Sequence, residues 1–148
     1  MYEYNEKISF ARHGKALRHL LTGWSWTEDQ WTWTEGLVAA LALRVGPASG
    51  GLTLNVRMSG LLHPPELTVQ PVQVLLNGTK ITDWEVTDLK TYSVAIPSEL
   101  LPTEPTDWVI DFLVPKATSP AHFIPGADSR RLALQVWDLT ISTAPTPR

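Results

Sequence analysis

The chain has 148 residues, a formal net charge of −3 and no cysteine. Its length predicts one domain that buries about 70% of the surface of the unfolded chain. The lack of cysteine excludes disulfide bridges and thiolate metal sites, and a slightly acidic chain without basic runs gives no reason to expect nucleic acid as a partner.

Two features of the sequence bear on where the protein works. Residues Met1 to Tyr4 are acidic and aromatic, unlike the basic start of a signal peptide. Together with the absence of cysteine, this favours a cytoplasmic location. The longest apolar run, Leu37 to Leu43, is far shorter than the roughly 20 residues that a membrane-spanning helix needs. We therefore expect a soluble domain with no membrane partner.

Taken in chain order, the sequence predicts short strands separated by turns. A half-buried strand alternates apolar and polar residues, as Leu52 to Met58 does, whereas a strand buried on both faces is continuously apolar, as Leu37 to Val45 is. Helix is the alternative for the second of these, because it contains three alanines. Outside a tryptophan-rich segment, the predicted strands are 8–10, 37–45, 52–58, 72–76, 80–86, 92–96, 108–114 and 132–141.

The connections carry their own signals. Asn77-Gly78 accepts the positive φ values of a type I′ turn and predicts a β-hairpin. Residues 16–21 predict one helical turn that ends at Gly23. Residues 115–129 contain three prolines and no periodicity, which predicts a long ordered loop that covers the domain or carries function. The Pro- and Thr-rich residues 143–148 predict a frayed tail.

This pattern predicts an all-β protein. About eight strands with turn signals between them and almost no helix are typical of an antiparallel β-sandwich, and this strand number favours a jelly roll. No internal repeat or linker divides the chain. We therefore expect residues 1–148 to form a single β-sandwich domain, with its core at about residues 8–141.

Four of the seven tryptophans lie in the segment from Gly23 to Gly36. They form two Trp-x-Trp pairs, and a polar tetrad separates the pairs. Two extended arms joined by a turn at the tetrad would place Trp26 opposite Trp31 and Trp24 opposite Trp33, as a cross-strand aromatic ladder. A helix with a capping box at the tetrad is the alternative, but the alternation of Thr and Trp that follows argues for strands.

The tryptophan segment combines the two kinds of side chain that bind sugars. An indole ring stacks on the apolar C–H face of a sugar, and carboxylates or amides bind its hydroxyl groups. The alternative is that the rings fill the core or cover an edge of the sandwich, as most buried aromatic side chains do. The candidate ligand-binding residues of this segment are Trp24, Trp26, Glu28, Trp31, Trp33 and Glu35. The other three tryptophans, Trp84, Trp108 and Trp137, lie in strand patterns and are expected to pack.

A second candidate is the motif Asp128-Ser129-Arg130-Arg131, where the long loop enters the last strand. Asp128, Arg130 and Arg131 are candidates for binding a polar ligand, or one arginine pairs with a carboxylate of the tryptophan segment. An ion pair that pins the loop to the sandwich is the more common role of such residues.

No motif indicates catalysis or metal binding. The chain has four isolated histidines, without the spacing of zinc ligands, at His13, His19, His63 and His122. It has no Gly-x-Ser-x-Gly elbow and no glycine-rich phosphate loop. We therefore expect no catalytic residue, no metal site and no cofactor. The opposing hypothesis is a small hydrolase that uses Glu28 with Glu35 or Asp128 as paired carboxylates.

These residues also resemble a known family. In the first half, the shared motifs are Gly23-Trp24-Ser25, Glu28, Trp33-Thr34 and Gly36, followed by an Ala/Leu strand. In the second half they are Val74-x-x-Asn77-Gly78, Ile96-Pro97, Ser119-Pro120 and Asp128-Ser129-Arg130-Arg131-Leu132. They are similar to a β-sandwich accessory domain of bacterial cell-surface polysaccharide glycosyltransferases. The resemblance spans residues 8–141, and it departs from the expected Leu-Gly at Leu132-Ala133.

The resemblance implies a non-catalytic accessory module, similar to a carbohydrate-binding jelly roll. Combined with the tryptophan segment, it predicts that a sugar stacks on tryptophan while nearby carboxylates and an arginine bind its hydroxyl groups. The expected partners are a carbohydrate and a larger glycosyltransferase or other protein. The alternative is a structural or oligomerisation module of a polysaccharide-synthesis enzyme, in which the tryptophans form a protein interface.

Trp24, Trp33 and Glu28 are the main contacts that this hypothesis predicts, with Arg130 or Arg131 as a polar partner. Replacing Trp33 with Ala should abolish sugar binding and leave the fold intact, because a ligand-facing ring contributes stacking area rather than core packing. Tryptophan fluorescence during titration with bacterial polysaccharides and simple sugars measures the effect. Binding that survives the change would contradict this position of the site.

Overall fold

The computed structural model describes residues 1–144 and consists almost entirely of strands. Within these residues the strands are β1 (Ile8–Ser9), β2 (Trp24–Thr27), β3 (Thr32–Glu35), β4 (Val38–Val45), β5 (Leu52–Gly60), β6 (Gln70–Leu76), β7 (Thr79–Val86), β8 (Lys90–Ala95), β9 (Thr106–Leu113) and β10 (Leu132–Thr143). Two 3₁₀ turns, Lys15–Arg18 and Ser98–Leu100, and one α-helical turn, α1 (Pro120–Phe123), complete the regular structure. No helix of this part of the chain is long and apolar enough to cross a membrane.

The strands form two antiparallel sheets. One has six strands in the order β2-β3-β10-β5-β8, with β1 also paired to β10, and the other has four in the order β4-β9-β6-β7. From β3 to β10 the chain passes between the sheets in the order of the two Greek keys of a jelly roll. These eight strands confirm the predicted all-β class and antiparallel sandwich. The six-stranded sheet also contains β1, which lies within the strand predicted at residues 8–10, and β2, which with β3 forms the two extended arms predicted for the tryptophan segment.

The core lies between the two sheets. In β5 the buried residues Leu52, Leu54, Val56 and Met58 alternate with half-buried polar ones, as the sequence predicts. Each fully buried side chain of this kind contributes roughly 1.5–3 kcal/mol. The facing sheet contributes Val72, Val74, Leu76, Ile110 and Phe112. We call the opposite side of the six-stranded sheet, which points away from the four-stranded sheet, its outer face.

Most of the predicted elements are present. Residues 38–45 form a largely buried strand, so the helical alternative is wrong there. Asn77 and Gly78 have φ values of 47° and 83°, which confirms the type I′ hairpin between β6 and β7. The Asn77 side chain also anchors β9, because its Oδ1 accepts a hydrogen bond from the Val109 amide at 2.7 Å.

Three predicted segments differ in extent. The helical turn predicted for residues 16–21 is a 3₁₀ turn at Lys15–Arg18. The loop of residues 115–129 contains α1 and is tied to β10 by two backbone hydrogen bonds between Thr118 and Leu132. The last strand continues to Thr143, beyond the predicted end, because it stays paired with β5. The rest of the predicted tail, residues 145–148, lies outside the described part.

Gly23 brings the start of β2 against β4. Its φ is 87°, and a Cβ at this position would lie 1.8 Å from the Val38 carbonyl oxygen and 2.7 Å from the Ala39 Cα. Both contacts are with backbone atoms, which cannot move aside as a side chain does. Gly36 has a similar φ of 95°, but a Cβ added there would have no neighbour within 4 Å. The two glycines therefore separate the cost of a clash from the cost of the backbone conformation.

We expect Gly23→Ala to lower the free energy of unfolding by more than about 4 kcal/mol, because it adds a backbone clash to an unfavourable φ. The matched variant Gly36→Ala should lose only about 1–2 kcal/mol, the cost of a left-handed residue with a Cβ. Urea denaturation of the two variants and the wild type measures both values. Equal losses would show that the close approach at Gly23 does not matter for stability.

Candidate functional site

A bulge in β2 decides where the first two tryptophans point. Trp24 lies opposite Thr34 and Thr27 lies opposite Thr32, so two residues of β2 face the single residue Trp33. A β-bulge of this kind interrupts the alternation of side chains and redirects them. The predicted pairing of Trp24 with Trp33 is therefore wrong. Ser25 and Trp26 occupy the bulge.

Trp24 turns towards the core of the sandwich. Its indole N–H donates a hydrogen bond to the Ala40 carbonyl oxygen at 2.8 Å. The ring centroid lies 5.4 Å from that of Phe10 and 6.5 Å from that of Phe112, which belongs to the other sheet. These contacts make Trp24 a packing residue between the sheets, apart from the other candidate site residues.

Trp26 instead faces solvent and is 65% exposed. The guanidinium carbon of Arg130 lies 4.3 Å from the centroid of the indole ring, in a cation–π contact. Arg130 comes from the loop before β10, more than 100 residues along the chain. The two candidate regions of the sequence, the tryptophan segment and the Asp128–Arg131 motif, therefore meet at this ring.

Arg130 holds this cluster together. Its Nε and Nη2 donate hydrogen bonds to Oδ2 of Asp128 at 2.9 and 2.5 Å, and its Nη1 donates to Oγ of Ser25 at 2.7 Å. Oε1 of Glu28 lies 3.9 Å from Nη2. These contacts confirm that an arginine of the motif pairs with a carboxylate of the tryptophan segment. They also pin the long loop to β2. We call Ser25, Trp26, Glu28, Asp128 and Arg130 the Trp26 cluster.

The charges of the cluster support one another. The Arg130 guanidinium, and then its backbone N–H, hydrogen-bond Asp128 and hold the pKa of that carboxyl below its usual range. The hydrogen bond to Asp128 raises the pKa of Arg130, and the charges of Glu28 and Glu35 act in the same direction. Asp128 and Arg130 therefore stabilise each other's charged form. With Glu28 also beside the guanidinium, the carboxyl oxygens give this surface an excess of hydrogen-bond acceptors.

The remaining candidate residues lie around the cluster. Trp33 lies between the fully buried Thr32 and Thr34, so strand alternation directs it to the outer face. Glu35 ends β3 and is exposed. The Arg131 side chain is exposed, and its carbonyl oxygen accepts a hydrogen bond from the Gly36 amide. Of these three residues, Glu35 acts on Arg130, through the electrostatic effect of its charge.

The sequence analysis did not predict a second aromatic group, which consists of Trp31 and Trp137. Trp31 packs against Trp137 rather than opposing Trp26, with ring centroids 5.3 Å apart and the rings tilted by 37°. The Arg57 guanidinium carbon lies 5.0 Å from the centroid of the Trp137 ring. The prediction that Trp137 mainly packs overlooked a bulge in β10, where Trp137 is the extra residue. The sequence does carry a signal: from Leu134 to Ile141 the aliphatic residues of β10 step by two, except across Trp137 and Asp138. The packing role predicted for Trp84 and Trp108 is confirmed by their burial.

A cavity of about 530 Å³ lies between the loop after β5 and the loop before β10, and no residue of the Trp26 cluster lines it. Its lining residues are His63, Glu66, Leu67, Lys116, Thr118, His122 and Phe123. The His63 and Phe123 rings stack there with centroids 4.5 Å apart. Within residues 1–144, no group of three or more His, Cys, Asp or Glu side chains is arranged to hold a metal ion.

The chain matches no protein-family model and no curated protein. Among solved structures, it is similar to the CBM36-1 domain of a multidomain xylanase from the hindgut metagenome of Trinervitermes trinervoides, with 10% identity and a TM-score of 0.52 over 95% of this chain and 98% of that one. It is also similar to the acetyl xylan esterase Est2A from the rumen bacterium Butyrivibrio proteoclasticus, with 9% identity and a TM-score of 0.53 over 97% of this chain and 35% of that one. These likenesses show that the chain has a β-sandwich fold of the kind found in carbohydrate-binding modules. The attachment to a glycosyltransferase stays a prediction.

The lowered pKa of Asp128 predicts how the cluster responds to acid. A carboxyl with a lower pKa in the folded state contributes stability above its unfolded pKa, about 3.9, and loses it as the pH falls through the folded value. The stability advantage of the wild type over Asp128→Asn should therefore be constant from pH 7 to pH 5 and shrink below about pH 3.9.

Urea unfolding of both proteins across this pH range measures the difference. Glu6 and Asp88, whose pKa values are also lowered, are present in both proteins and cancel. A difference that stays the same down to pH 2 would show that Arg130 does not stabilise the charged form of Asp128.

Proposed function

We propose that this domain is a non-catalytic carbohydrate-binding module that stacks a sugar on Trp26. The observation that carries the proposal is a solvent-exposed indole ring, held in place by Arg130 and surrounded by carboxylates. An indole presents an apolar face with the area needed to cover a sugar ring. Carboxylate oxygens accept hydrogen bonds from the hydroxyl groups at the rim of that sugar.

The contact of Arg130 with Trp26 favours binding because it holds the indole ring in place before a ligand binds. A side chain that is already immobile loses little conformational entropy on association. Arg130 has used Nε, Nη1 and Nη2 on Asp128 and Ser25. We therefore assign Arg130 to positioning the ring and the loop. Glu28, at 3.9 Å from Arg130, keeps acceptor capacity for a sugar hydroxyl.

The electrostatics favour binding over hydrolysis. A glycosidase needs one carboxyl with a raised pKa to protonate the leaving group. In this cluster Asp128 has a lowered pKa, the opposite of the shift that a general acid needs. It is held in the charged form beside Arg130, where it accepts hydrogen bonds. The paired-carboxylate hydrolase has less support.

The choice of ligands to test follows from the structural comparisons. The CBM36-1 domain belongs to a xylanase and Est2A is an acetyl xylan esterase, so xylo-oligosaccharides are the first candidates. Bacterial cell-surface polysaccharides come next, because of the sequence resemblance. We further propose that the domain serves a larger enzyme, with a glycosyltransferase as the expected partner and the cytoplasm as the expected location.

We expect Trp26→Ala to weaken saccharide binding by at least about tenfold, or about 1.4 kcal/mol, because it removes the stacking surface. The matched control is Leu17→Ala, which truncates another exposed apolar side chain on the 3₁₀ turn at Lys15–Arg18 and should leave affinity unchanged. Isothermal titration calorimetry with the saccharides that bind the wild type measures both. Both variants should unfold at the same urea concentration as the wild type.

Unchanged affinity in Trp26→Ala would place the sugar elsewhere. If no saccharide binds the wild type and its mass in solution rises with protein concentration, the domain is an interaction module and the proposal is wrong. Turnover of any glycan by the purified domain would instead support the hydrolase.

A further inference from the structure

The outer face of the six-stranded sheet carries a second arginine built like the first. Arg57, on β5, lies with its guanidinium carbon 5.0 Å from the Trp137 ring centroid. Its Nε donates a hydrogen bond to Oδ2 of Asp138 at 2.8 Å. The bulge in β10 makes this possible, because the extra residue Trp137 turns outward beside Asp138. Trp31 covers Trp137 from the turn between β2 and β3.

Arg57 differs from Arg130 in having nitrogen donors that no protein acceptor uses within the described residues. Within residues 1–144 only its Nε makes a hydrogen bond to protein, and its side chain is 40% exposed. Its two Nη groups therefore remain able to donate to a ligand. The contacts with Trp137 and Asp138 hold the planar guanidinium in one orientation, so its remaining donors point in fixed directions.

Polar side chains on both sides of Arg57 are also fixed by hydrogen bonds. Towards the β9–β10 loop, Oγ of Ser59 donates to Oε1 of Gln135 at 3.0 Å, and Gln135 lies opposite Trp33. Towards the other end, Nδ2 of Asn55 donates to Oγ of Ser142 at 3.0 Å. The outer face thus presents hydrogen-bond donors and acceptors on neighbouring strands, at positions fixed by the strand register.

We propose that this outer face is a second subsite, which binds an internal stretch of a neutral polysaccharide together with Trp26. The inference rests on the proposed function, because it extends the same ligand across the sheet. The direct contacts are Arg57 through its Nη groups, Gln135 and Trp33. Trp137 and Asp138 are positioning residues for Arg57.

The dimensions fit a ligand of several sugar units. Trp26 lies on β2 and Arg57 on β5, with β3 and β10 between them. Three strand spacings put the two residues at least about 14 Å apart. One sugar ring does not span that distance. A chain that contacts both groups therefore presents several consecutive units, and the module recognises the interior of a polysaccharide rather than one terminal sugar.

The charge of the face favours a neutral chain over other partners. Asp138 neutralises Arg57 at 2.8 Å, which leaves no excess positive charge for a phosphate or nucleic acid backbone. Beside the Trp33 and Trp137 rings, the outer face presents Ser, Asn and Gln side chains held by hydrogen bonds. Apolar rings next to fixed donors and acceptors suit the C–H faces and hydroxyl groups of a glycan.

The test uses xylo-oligosaccharides from the monosaccharide to the hexasaccharide, and calorimetry or tryptophan fluorescence as the readout. For the wild type, affinity should rise with chain length until both groups are occupied. Arg57→Ala should weaken binding of the hexasaccharide by roughly tenfold or more, the loss of hydrogen bonds from a charged donor. It should leave the affinity for the shortest ligand that binds at Trp26 unchanged.

Two further variants distinguish a loss of ligand contacts from a loss of the fold. Gln135→Ala removes a contact without breaking an ion pair and should also reduce the gain in affinity with chain length. The matched control is Arg44→Ala, since Arg44 forms an equally short cross-strand ion pair with Asp107 on the four-stranded sheet. Arg44→Ala should bind every ligand like the wild type. Matching urea midpoints for Gln135→Ala and the wild type exclude loss of the fold.

The outcomes separate this inference from the proposed function. If affinity depends on Trp26 but is the same for all chain lengths and for Arg57→Ala, the second subsite is wrong and the first stands. If binding survives Trp26→Ala but not Arg57→Ala, the sheet face is the main site and the Trp26 cluster is not. If a phosphorylated or sulfated glycan binds at least as tightly as the neutral one, the assigned ligand class is wrong.

Discussion

Two β-bulges, one in β2 and one in β10, determine which tryptophans pack in the core and which lie on the outer side of the sheet. The six-stranded sheet buries one face, so every residue of a regular strand is committed to one side. The bulge in β2 lets Trp24 turn inward while Trp26 faces outward, although the two are separated by one residue. The bulge in β10 turns Trp137 out between the buried Val136 and the next apolar position. The candidate binding surface depends on these two interruptions.

The same combination of arginine, carboxylate and indole occurs twice around these bulges. Arg130 joins Asp128 to Trp26, and Arg57 joins Asp138 to Trp137. A planar guanidinium suits both roles, because it hydrogen-bonds a carboxylate in its plane and packs its face on an aromatic ring. The two sites differ in accessibility. Arg130 is 16% exposed and engaged through all three nitrogens, so it serves structure, whereas Arg57 keeps donors for a ligand.

Strand alternation and turn chemistry predicted most of the fold, because both are local. The regular pattern of β5 and the Asn77-Gly78 turn each specify their conformation without help from distant residues. The aromatic ladder could not be predicted in the same way. Its failure comes from the β2 bulge, which is favoured by the packing of Trp24 between Phe10 and Phe112. Those contacts join residues far apart in the sequence.

The sequence predicted which residues form the candidate site better than it predicted how they are arranged. The acidic residues near the tryptophans and the Asp128–Arg131 motif indicated an ion pair, and the structure brings Arg130 beside Glu28. Arg130, and not the neighbouring Arg131, reaches Glu28 because its guanidinium is bonded to Asp128 and to Ser25, and Ser25 is more than 100 residues away in the sequence. Arg57 and Trp137 were missed because each looks ordinary in its own strand. Only their pairing across β5 and β10 makes them a candidate site.

The pairing of β1 with β10 has a consequence for how the chain folds. Ile8 lies opposite Leu139, and the Ile141 amide donates a hydrogen bond to Oη of Tyr2 at 2.9 Å. The six-stranded sheet therefore has a gap at its centre until the last strand is in place, since β10 also separates β3 from β5. Contacts between the two ends of a chain close the largest loop and form slowly. During synthesis the facing edges of β3 and β5 stay unpaired until β10 emerges, and a chain interrupted before Leu132 would leave these edges open to aggregation.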